Sequence, residues 1–385
     1  MQHQQAIPLS PVAEGRVAAA AEFAETIIAP NARNWEATRT QPVEQLREVI
    51  RQFAGVAVPA ELGGQGHNFS TLMRCYEELA ARDLGFTCAL AVHCNVTAGA
   101  TRLPDPDLRS ESVAALISGD SIGAFVLTEP DVGSDATAIT TMATRQGDGF
   151  RLDGRKAWVT NGRNADYLLT FCQMDAAAGA RGIACFALRR DQPGLRFSAP
   201  IEMIASHAMG TTDLDIDGVQ AGPKQIAFDP GSAFPAAMSA INLARIGVAA
   251  MCNGALRGGL MTAVRYARQR KAFGRSIYDF QGIQFALAEA ATQLEASRSL
   301  TFQAIYQLEN GNDATVLAAH AKKFATATAF RNLSVCLQAL GANGLKDEYG
   351  IHRQMSASRV CEFMDGTGEV QSLIVARALA AAESG

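Results

Sequence analysis

From Ser232 to the C-terminus the sequence holds a single proline, Pro235, and reads as a succession of long Ala-rich stretches. A proline inside a helix costs about 3 kcal/mol, so its near absence over such a length fits helices that run uninterrupted. The spacing predicts helices over Ser232–Arg270, Gln281–Asn310, Ala314–Leu340 and Val370–Ala382. These exceed the average helix of a globular protein and point to a bundle with faces left for subunit contacts.

The chain before Ser232 divides in two. Apolar residues at helical spacing predict helices over Val12–Ala29, stopped by Pro30, over Val43–Phe53, ending at Gly55, and over Phe69–Arg82 and Thr87–Thr101. Pro59-Ala-Glu-Leu-Gly-Gly-Gln-Gly66 forms a loop between helices. From Ser121 to Phe228 the pattern becomes β. Strands are expected at Ile122–Leu127, Ile139–Arg145, Phe150–Asp153, Ala157–Thr160, Tyr167–Gln173, Ile183–Leu188 and Asp213–Ile216, with a turn at Gly147-Asp-Gly149. Short strands joined by Gly/Asp turns suggest a small antiparallel sheet or barrel. The fold class is therefore mainly α with a middle β-domain, divided as 1–118 (helical), 119–230 (β) and 231–385 (helical bundle).

Composition excludes several functions. At 48% hydrophobic and 19% charged, the 385-residue chain is neither disordered nor fibrous. A net charge of −4 argues against nucleic acid as a partner. Eight scattered cysteines without a C-x-x-C pair read as reduced thiols of a cytoplasmic protein. Met1 to Pro8 carries no signal-peptide pattern, and no eighteen-residue apolar run suggests a membrane span. Six histidines occur without H-E-x-x-H or H-x-x-H, so no metal site is expected, and His320 reads as a packed or surface residue. There is no G-x-S-x-G, and no G-x-G-x-x-G follows a strand, so hydrolase and nicotinamide chemistry lack support.

Three segments could carry chemistry. Leu127-Thr-Glu-Pro-Asp-Val-Gly-Ser-Asp-Ala136 runs from a strand into a turn dense in small polar groups, suited to a ring edge or a phosphate. In Gly154-Arg-Lys-Ala-Trp-Val-Thr-Asn-Gly162, Trp158 and Thr160 lie two apart on a strand and so on one face, an aromatic wall beside a hydroxyl. Met364-Asp-Gly-Thr-Gly-Glu-Val-Gln371 places a carboxylate at the entrance to the last helix. Each also has a plain structural reading: an Asx turn, a hairpin, and a helix N-cap at Asp365 or Thr367.

Together and in this order the three segments resemble the acyl-CoA dehydrogenase family of flavoproteins. Arg270-Lys-Ala-Phe-Gly-Arg-Ser-Ile277, Phe280-Gln-Gly-Ile-Gln284, Leu340-Gly-Ala-Asn-Gly344 and Asp365–Arg377 extend the likeness over essentially the whole chain. The resemblance implies an α-bundle, β-barrel and four-helix-bundle architecture, a homotetramer or homodimer, and FAD between the β-domain and the C-terminal helices, partly against a neighbouring subunit. It implies that Leu127, Thr128 and Ser134 contact the flavin and its phosphates, that Trp158 covers one flavin face, and that Thr160 bonds near N5. Arg270 would reach the pyrophosphate, Gln281, Gln338, Gly341 and Gly344 would line the AMP end, and Thr367 and Glu369 would close the site. By the same resemblance Asp365 is the base that takes the α-proton of an acyl thioester. Asn242, Arg245 and Gly366 lie on the substrate side, and an electron-transfer flavoprotein or another acceptor receives the electrons.

The substrate side departs from the family pattern. Most relatives have Glu where this chain has Asp365, a side chain shorter by about 1.5 Å. Some place the base on the long helix after the β-domain, where this chain has Ala244. Ser356-Ala357 replaces an Arg-Asp pair, Met364 an aromatic residue and Asn242 an Asp. Arg245 and Thr211 are kept, whereas His207 and Met209 stand where Arg and Ser are usual. Three readings stay open: dehydrogenation of an unusual acyl thioester on CoA or a carrier protein in a specialised biosynthetic pathway, a nitroalkane-oxidase-like flavin oxidase, or a non-catalytic flavin- and DNA-binding relative.

Overall fold

The computed structural model describes residues 9–383, so the reading of Met1–Pro8 lies outside the described residues. Six helices come first: α1 (Pro11–Phe23), α2 (Ala29–Ala37), α3 (Val43–Phe53), α4 (Phe69–Ala80), α5 (Leu84–Ala100) and α6 (Pro106–Ile117). Pro30 does not end the first helix as expected. A π-helical turn over Ala24–Ile28 carries the chain on, and Pro30 stands in the first turn of α2. Asn68, Asp83 and Asp105 cap α4, α5 and α6 by accepting from the backbone N–H three residues on. α6, which follows a proline and carries only a weak apolar stripe, was not among the expected helices.

The middle segment builds β1 (Gly123–Val126), β2 (Met142–Gln146), β3 (Gly149–Val159), β4 (Tyr167–Gln173), β5 (Ile183–Arg189), β6 (Leu195–Phe197), β7 (Thr212–Ala221) and β8 (Ile226–Phe228). They form one sheet in the order β6-β7-β3-β2-β4-β5-β8, with β1 beside β4. Pairing is mainly antiparallel, as expected, but β1 runs parallel to β4, with Gly123 opposite Tyr167. The two strands expected at 150–153 and 157–160 are one, β3, irregular in register against β7 between Leu152 and Gly154 and again between Lys156 and Val159. The three-residue strands β6 and β8 are too short to show a period in the sequence.

The C-terminal segment contains α7 (Ala233–Gln269), a hairpin of β9 (Lys271–Ala272) and β10 (Arg275–Ser276), α8 (Gln281–Glu309), α9 (Thr315–Ala339), α10 (Ile351–Phe363) and α11 (Gly368–Glu383). By length and composition α7 could cross a membrane, but its middle, from Leu243 to Leu256, packs inside the protein as the central helix of the bundle. Packing does not separate the two helical segments. Phe23, Trp35, Phe53, Leu79 and Phe86 share one apolar core with Ile246, Met251, Leu294, Leu333 and Cys361. A second core lies between the sheet, α6 and the start of α7, and a third on the sheet's other face. All eight cysteines are buried free thiols.

Candidate active site

The turn after α10 is the chemically unusual point of the molecule. Asp365 has φ +53° and Gly366 has φ +93°, a backbone that L side chains adopt only at a cost of order 1–3 kcal/mol. A Cβ on residue 366 would lie 2.9 Å from Gln371 Nε2 and 3.0 Å from Val370 Cγ1, so glycine is required there. Side chains from three other helices hold the turn through its carbonyls. Arg245 Nε of α7 donates to Asp365 O at 3.0 Å. Lys322 Nζ of α9 donates to Glu362 O (2.6 Å) and Gly366 O (2.7 Å). Gln371 Nε2 of α11 donates to Asp365 O (3.2 Å) and Gly366 O (2.9 Å). Behind it, Cys88 Sγ of α5 is 3.8 Å from Met364 Sδ.

Asp365 is not the cap of α11. That helix begins at Gly368, and Thr367 Oγ1 accepts from Val370 N at 3.4 Å, so Thr367 is the capping residue. The Asp365 carboxylate has no hydrogen-bond partner among the described residues. Burial pushes it above its ordinary value, and the positive charges of Lys322 and Arg245 oppose that rise. A half-buried carboxylate without a hydrogen-bond partner among the described residues, on which two cations act, is suited to accepting a proton from a bound molecule.

Asn242 and Arg245 belong to the same cluster but are committed to the protein. Arg245 Nη1 donates to Asn242 Oδ1 (2.9 Å), and Asn242 Nδ2 donates to Thr315 Oγ1 (2.8 Å). Glu369 is exposed in the first turn of α11, its carboxyl held below its ordinary value by a hydrogen bond from Thr367.

A second group of expected residues lies at the sheet. Leu127 O accepts from Lys156 Nζ (2.9 Å) and Thr128 O accepts from Ala157 N (2.9 Å), which ties the turn after β1 to β3. Trp158 and Thr160 do not share a strand face. The register shift beyond Lys156 puts Trp158 at φ +57°, and β3 ends at Val159. Trp158 is 59% exposed, whereas Thr160 is buried to 8%. Ser134 is exposed at the tip of the turn, and the neighbouring Asp135 makes an Asx turn by accepting from Thr137 N and Oγ1.

Sequence reasoning passed over the residues that hold this turn. Glu129, 4% exposed, accepts from Lys156 Nζ (2.9 Å), Thr140 N (2.7 Å), Thr140 Oγ1 (2.7 Å) and Thr141 N (2.9 Å). Burial works against its ionisation, but Lys156 and the Thr140 and Thr141 bonds outweigh it and bring the carboxyl down to about 2. Asn161, at φ +67°, donates to Ala89 O and Gly123 O and accepts from Gln41 Nε2, joining α5, β1 and the N-terminal helices. An Asn beside a Gly is the signal that could have marked this left-handed position.

The third group sits at the far end of the bundle. Arg270 caps the C-terminus of α7, about 55 Å of helix from its start at 1.5 Å per residue. Its side chain is exposed and has no partner among the described residues. Gln281 opens α8, and Gln338 ends α9 beside the turn of Gly341 and Gly344, which Asn343 Nδ2 ties to Tyr266 OH of α7 at 2.6 Å. Gly341 has φ +59° and open space at its Cβ position. The missing Cβ of Gly344 admits the chain's own Leu337 O, 2.4 Å from where it would stand, not a ligand. The chain thus brings Asp365, Gly366, Arg245 and Asn242 together, and Leu127, Thr128, Trp158 and Thr160 together, with Arg270 and its neighbours at a separate bundle end.

Comparison with known proteins shows the family. Residues 14–120, 124–219 and 231–380 match the N-terminal, middle and C-terminal domains of acyl-CoA dehydrogenase. The chain belongs to the acyl-CoA dehydrogenase family of FAD-dependent oxidoreductases. It is similar to the 3-(aryl)acrylate reductase of Clostridium sporogenes, 32% identical over 93% of this chain and 95% of that protein. Among solved structures, the butyryl-CoA dehydrogenase of Megasphaera elsdenii superposes with a TM-score of 0.95 at 29% identity, covering 97% of this chain and all of that one. A structure from work on the electron transferring flavoprotein of Acidaminococcus fermentans also scores 0.95, at 30% identity over 97% of this chain and 99% of that one.

The residues fit FAD. An exposed indole held at positive φ, next to a threonine hydroxyl with no partner among the described residues, pairs a flat apolar wall with a hydrogen-bonding atom, as an isoalloxazine ring requires. The exposed Arg270 guanidinium, without a partner among the described residues, suits a pyrophosphate.

Proposed function

We propose that the protein dehydrogenates an acyl thioester carried on a phosphopantetheine arm, the group common to CoA and carrier proteins, with Asp365 as the catalytic base. The observation that carries this reading is the Asp365 carboxylate, left out of the helix cap and without a hydrogen-bond partner among the described residues, while Arg245, Lys322 and Gln371 hold the backbone of its turn. In the reaction Asp365 accepts the α-proton, and its raised affinity for protons, caused by burial, favours that acceptance. Gly366 gives the turn its shape, and Arg245 and Asn242 fix the turn against α7 instead of facing substrate directly. FAD, when bound, takes the β-hydride. Trp158 supplies the wall that would orient the ring, with Thr160 beside it, and Leu127, Thr128 and Ser134 form the rim towards the phosphates. Thr367 and Glu369 close the α11 side.

Arg270, Gln281, Gln338 and Gly341 complete the cofactor site of a second copy in this reading. Exposed Phe273 (95%), Phe285, Leu345 and Leu379, all in the C-terminal segment, support a homotetramer. We further propose domains at 1–118, 119–230 and 231–385, an electron-transfer flavoprotein or another protein as acceptor, and a cytoplasmic location, which eight free thiols favour.

The test is anaerobic bleaching of the bound flavin by butyryl and 3-phenylpropanoyl groups, each presented on CoA and on a carrier protein. Asp365→Asn keeps the shape of the side chain but cannot take a proton. It is expected to keep FAD and lose flavin reduction by about 10³-fold or more. Near-parental reduction in that variant, with flavin bound, removes Asp365 from the mechanism. Rapid peroxide formation by the parent in air marks an oxidase instead.

A further inference from the structure

Lys322 lies in the first third of α9, with none of its surface exposed. Burying an ammonium is expensive unless it is fully paired, and burial pulls this one below its ordinary value. Its position relative to the turn explains why it is there. The two carbonyls it binds, Glu362 O at the end of α10 and Gly366 O, flank Asp365 on both sides. One side chain therefore spans the turn that carries the proposed base. The charge that acts most on Lys322 is that of Asp365 itself.

We propose that Lys322 is a positioning residue for Asp365, which ties both ends of its strained turn to α9 and sets a fixed positive charge beside its carboxylate. This rests on the reading of Asp365 as the base. Without the two bonds, Asp365 at φ +53° and Gly366 at φ +93° would be held on the α7 side by Arg245 and on the α11 side by Gln371, with nothing from α9. The groups that face Asp365 are Lys322 from α9, Arg245 from α7 and Cys88 from α5. Cys361 and Glu362 end α10, and Glu369 stands exposed on α11. Removing Lys322 leaves Arg245 as the one cation in that set, so the carboxyl should hold its proton to higher pH and the ionised base should appear later in a titration.

Two variants separate charge from tethering. Lys322→Gln keeps two N–H donors for the carbonyls but no charge, and Lys322→Met keeps neither. Both are compared as FAD-loaded protein with the parent and with Asp365→Asn. The first readout is the pH-dependent infrared band of a protonated carboxyl that disappears in Asp365→Asn. The second is hydrogen exchange of the 362–371 peptide. The expected result is a band midpoint raised by at least one pH unit, a tenfold change in acid constant, in both variants. Exchange at 362–371 should be at least tenfold faster in Lys322→Met and much less affected in Lys322→Gln. If Met does not fold, Gln alone still decides the charge effect.

A midpoint within 0.3 pH unit of the parent and unchanged exchange in the folded variants would overturn the proposal, as would loss of global stability with no change in either readout. Failure of the base reading shows separately, as an Asp365→Asn variant that still reduces its flavin on butyryl-CoA or 3-phenylpropanoyl-CoA.

Discussion

Glu129→Gln removes the carboxylate that faces Lys156, a lysine with no exposed surface. Lys156 Nζ then keeps one carbonyl, Leu127 O at 2.9 Å, and faces a neutral amide at Glu129's place. Breaking a buried pair from one side typically costs about 3–5 kcal/mol. Burial already pulls the Lys156 ammonium below its ordinary value, so it can shed its proton, and the cost should fall near about 3 kcal/mol. At roughly 2.1 cal/mol/K of unfolding entropy per residue, the 385-residue chain shifts by about 1.2 °C per kcal/mol, so the unfolding midpoint should drop by about 4 °C. The same change loosens Thr140, Thr141 and Leu127 around the turn proposed to bind flavin, so FAD should bind at least tenfold more weakly, equal to about 1.4 kcal/mol. Circular dichroism melts and flavin fluorescence titrations measure the two effects. The double variant Glu129→Met with Lys156→Met removes both charges and should be less destabilised than Glu129→Gln alone. A melting point within 2 °C of the parent together with an FAD dissociation constant within twofold would refute the account of this pair.

Glu129 also predicts acid behaviour. Its folded-state value of about 2 lies below the ordinary 4.5, so it contributes stability above that ordinary value and loses it as pH falls from 4.5 through 2. Urea midpoints measured at pH 6, 4 and 3 should fall less steeply in Glu129→Gln than in the parent. For Asp365 the sign is opposite to that of a paired carboxylate. Burial raises its value, so flavin reduction should increase with pH through a limb above the ordinary carboxylate range, visible in stopped-flow traces. Arg270→Ala should purify with most of its FAD lost while keeping its circular dichroism spectrum, because an exposed residue at a helix end contributes little to folding.

Much of the fold is legible in local pattern. The helix Val43–Phe53 and the strand Tyr167–Gln173 have the boundaries their apolar spacing predicts. α10 is not legible because half of its buried residues are polar: Arg353, Gln354 and Ser358 beside Ile351, Ala357 and Cys361. Arg353 pairs with Asp83, and Gln354 donates to Ala80 O and accepts from Leu84 N, so helical periodicity is hidden by partners some 270 positions away. The site divides in the same way. Asp365, Trp158 and Arg270 stand in recognisable local motifs, whereas Lys322, Gln371 and Glu129 matter through what they reach across the fold. Trp158 shows a third case: the residue is legible, but the bulge that breaks its strand alternation with Thr160 comes from pairing with β7.

The core shared by the first and last helical segments bears on how this chain is made. Residues 17 to 94 share much of their core with residues from Leu243 onward, with the sheet synthesised between them. At roughly 5–20 residues per second, the approximately 125 residues from the end of α6 to Leu243 take about 6–25 s to emerge from the ribosome. During that interval Phe23, Phe53, Leu79 and Phe86 lack their C-terminal half of the core. The nascent N-terminal segment is therefore a natural client for chaperones. Truncation before α7 should yield aggregate, not a smaller folded protein.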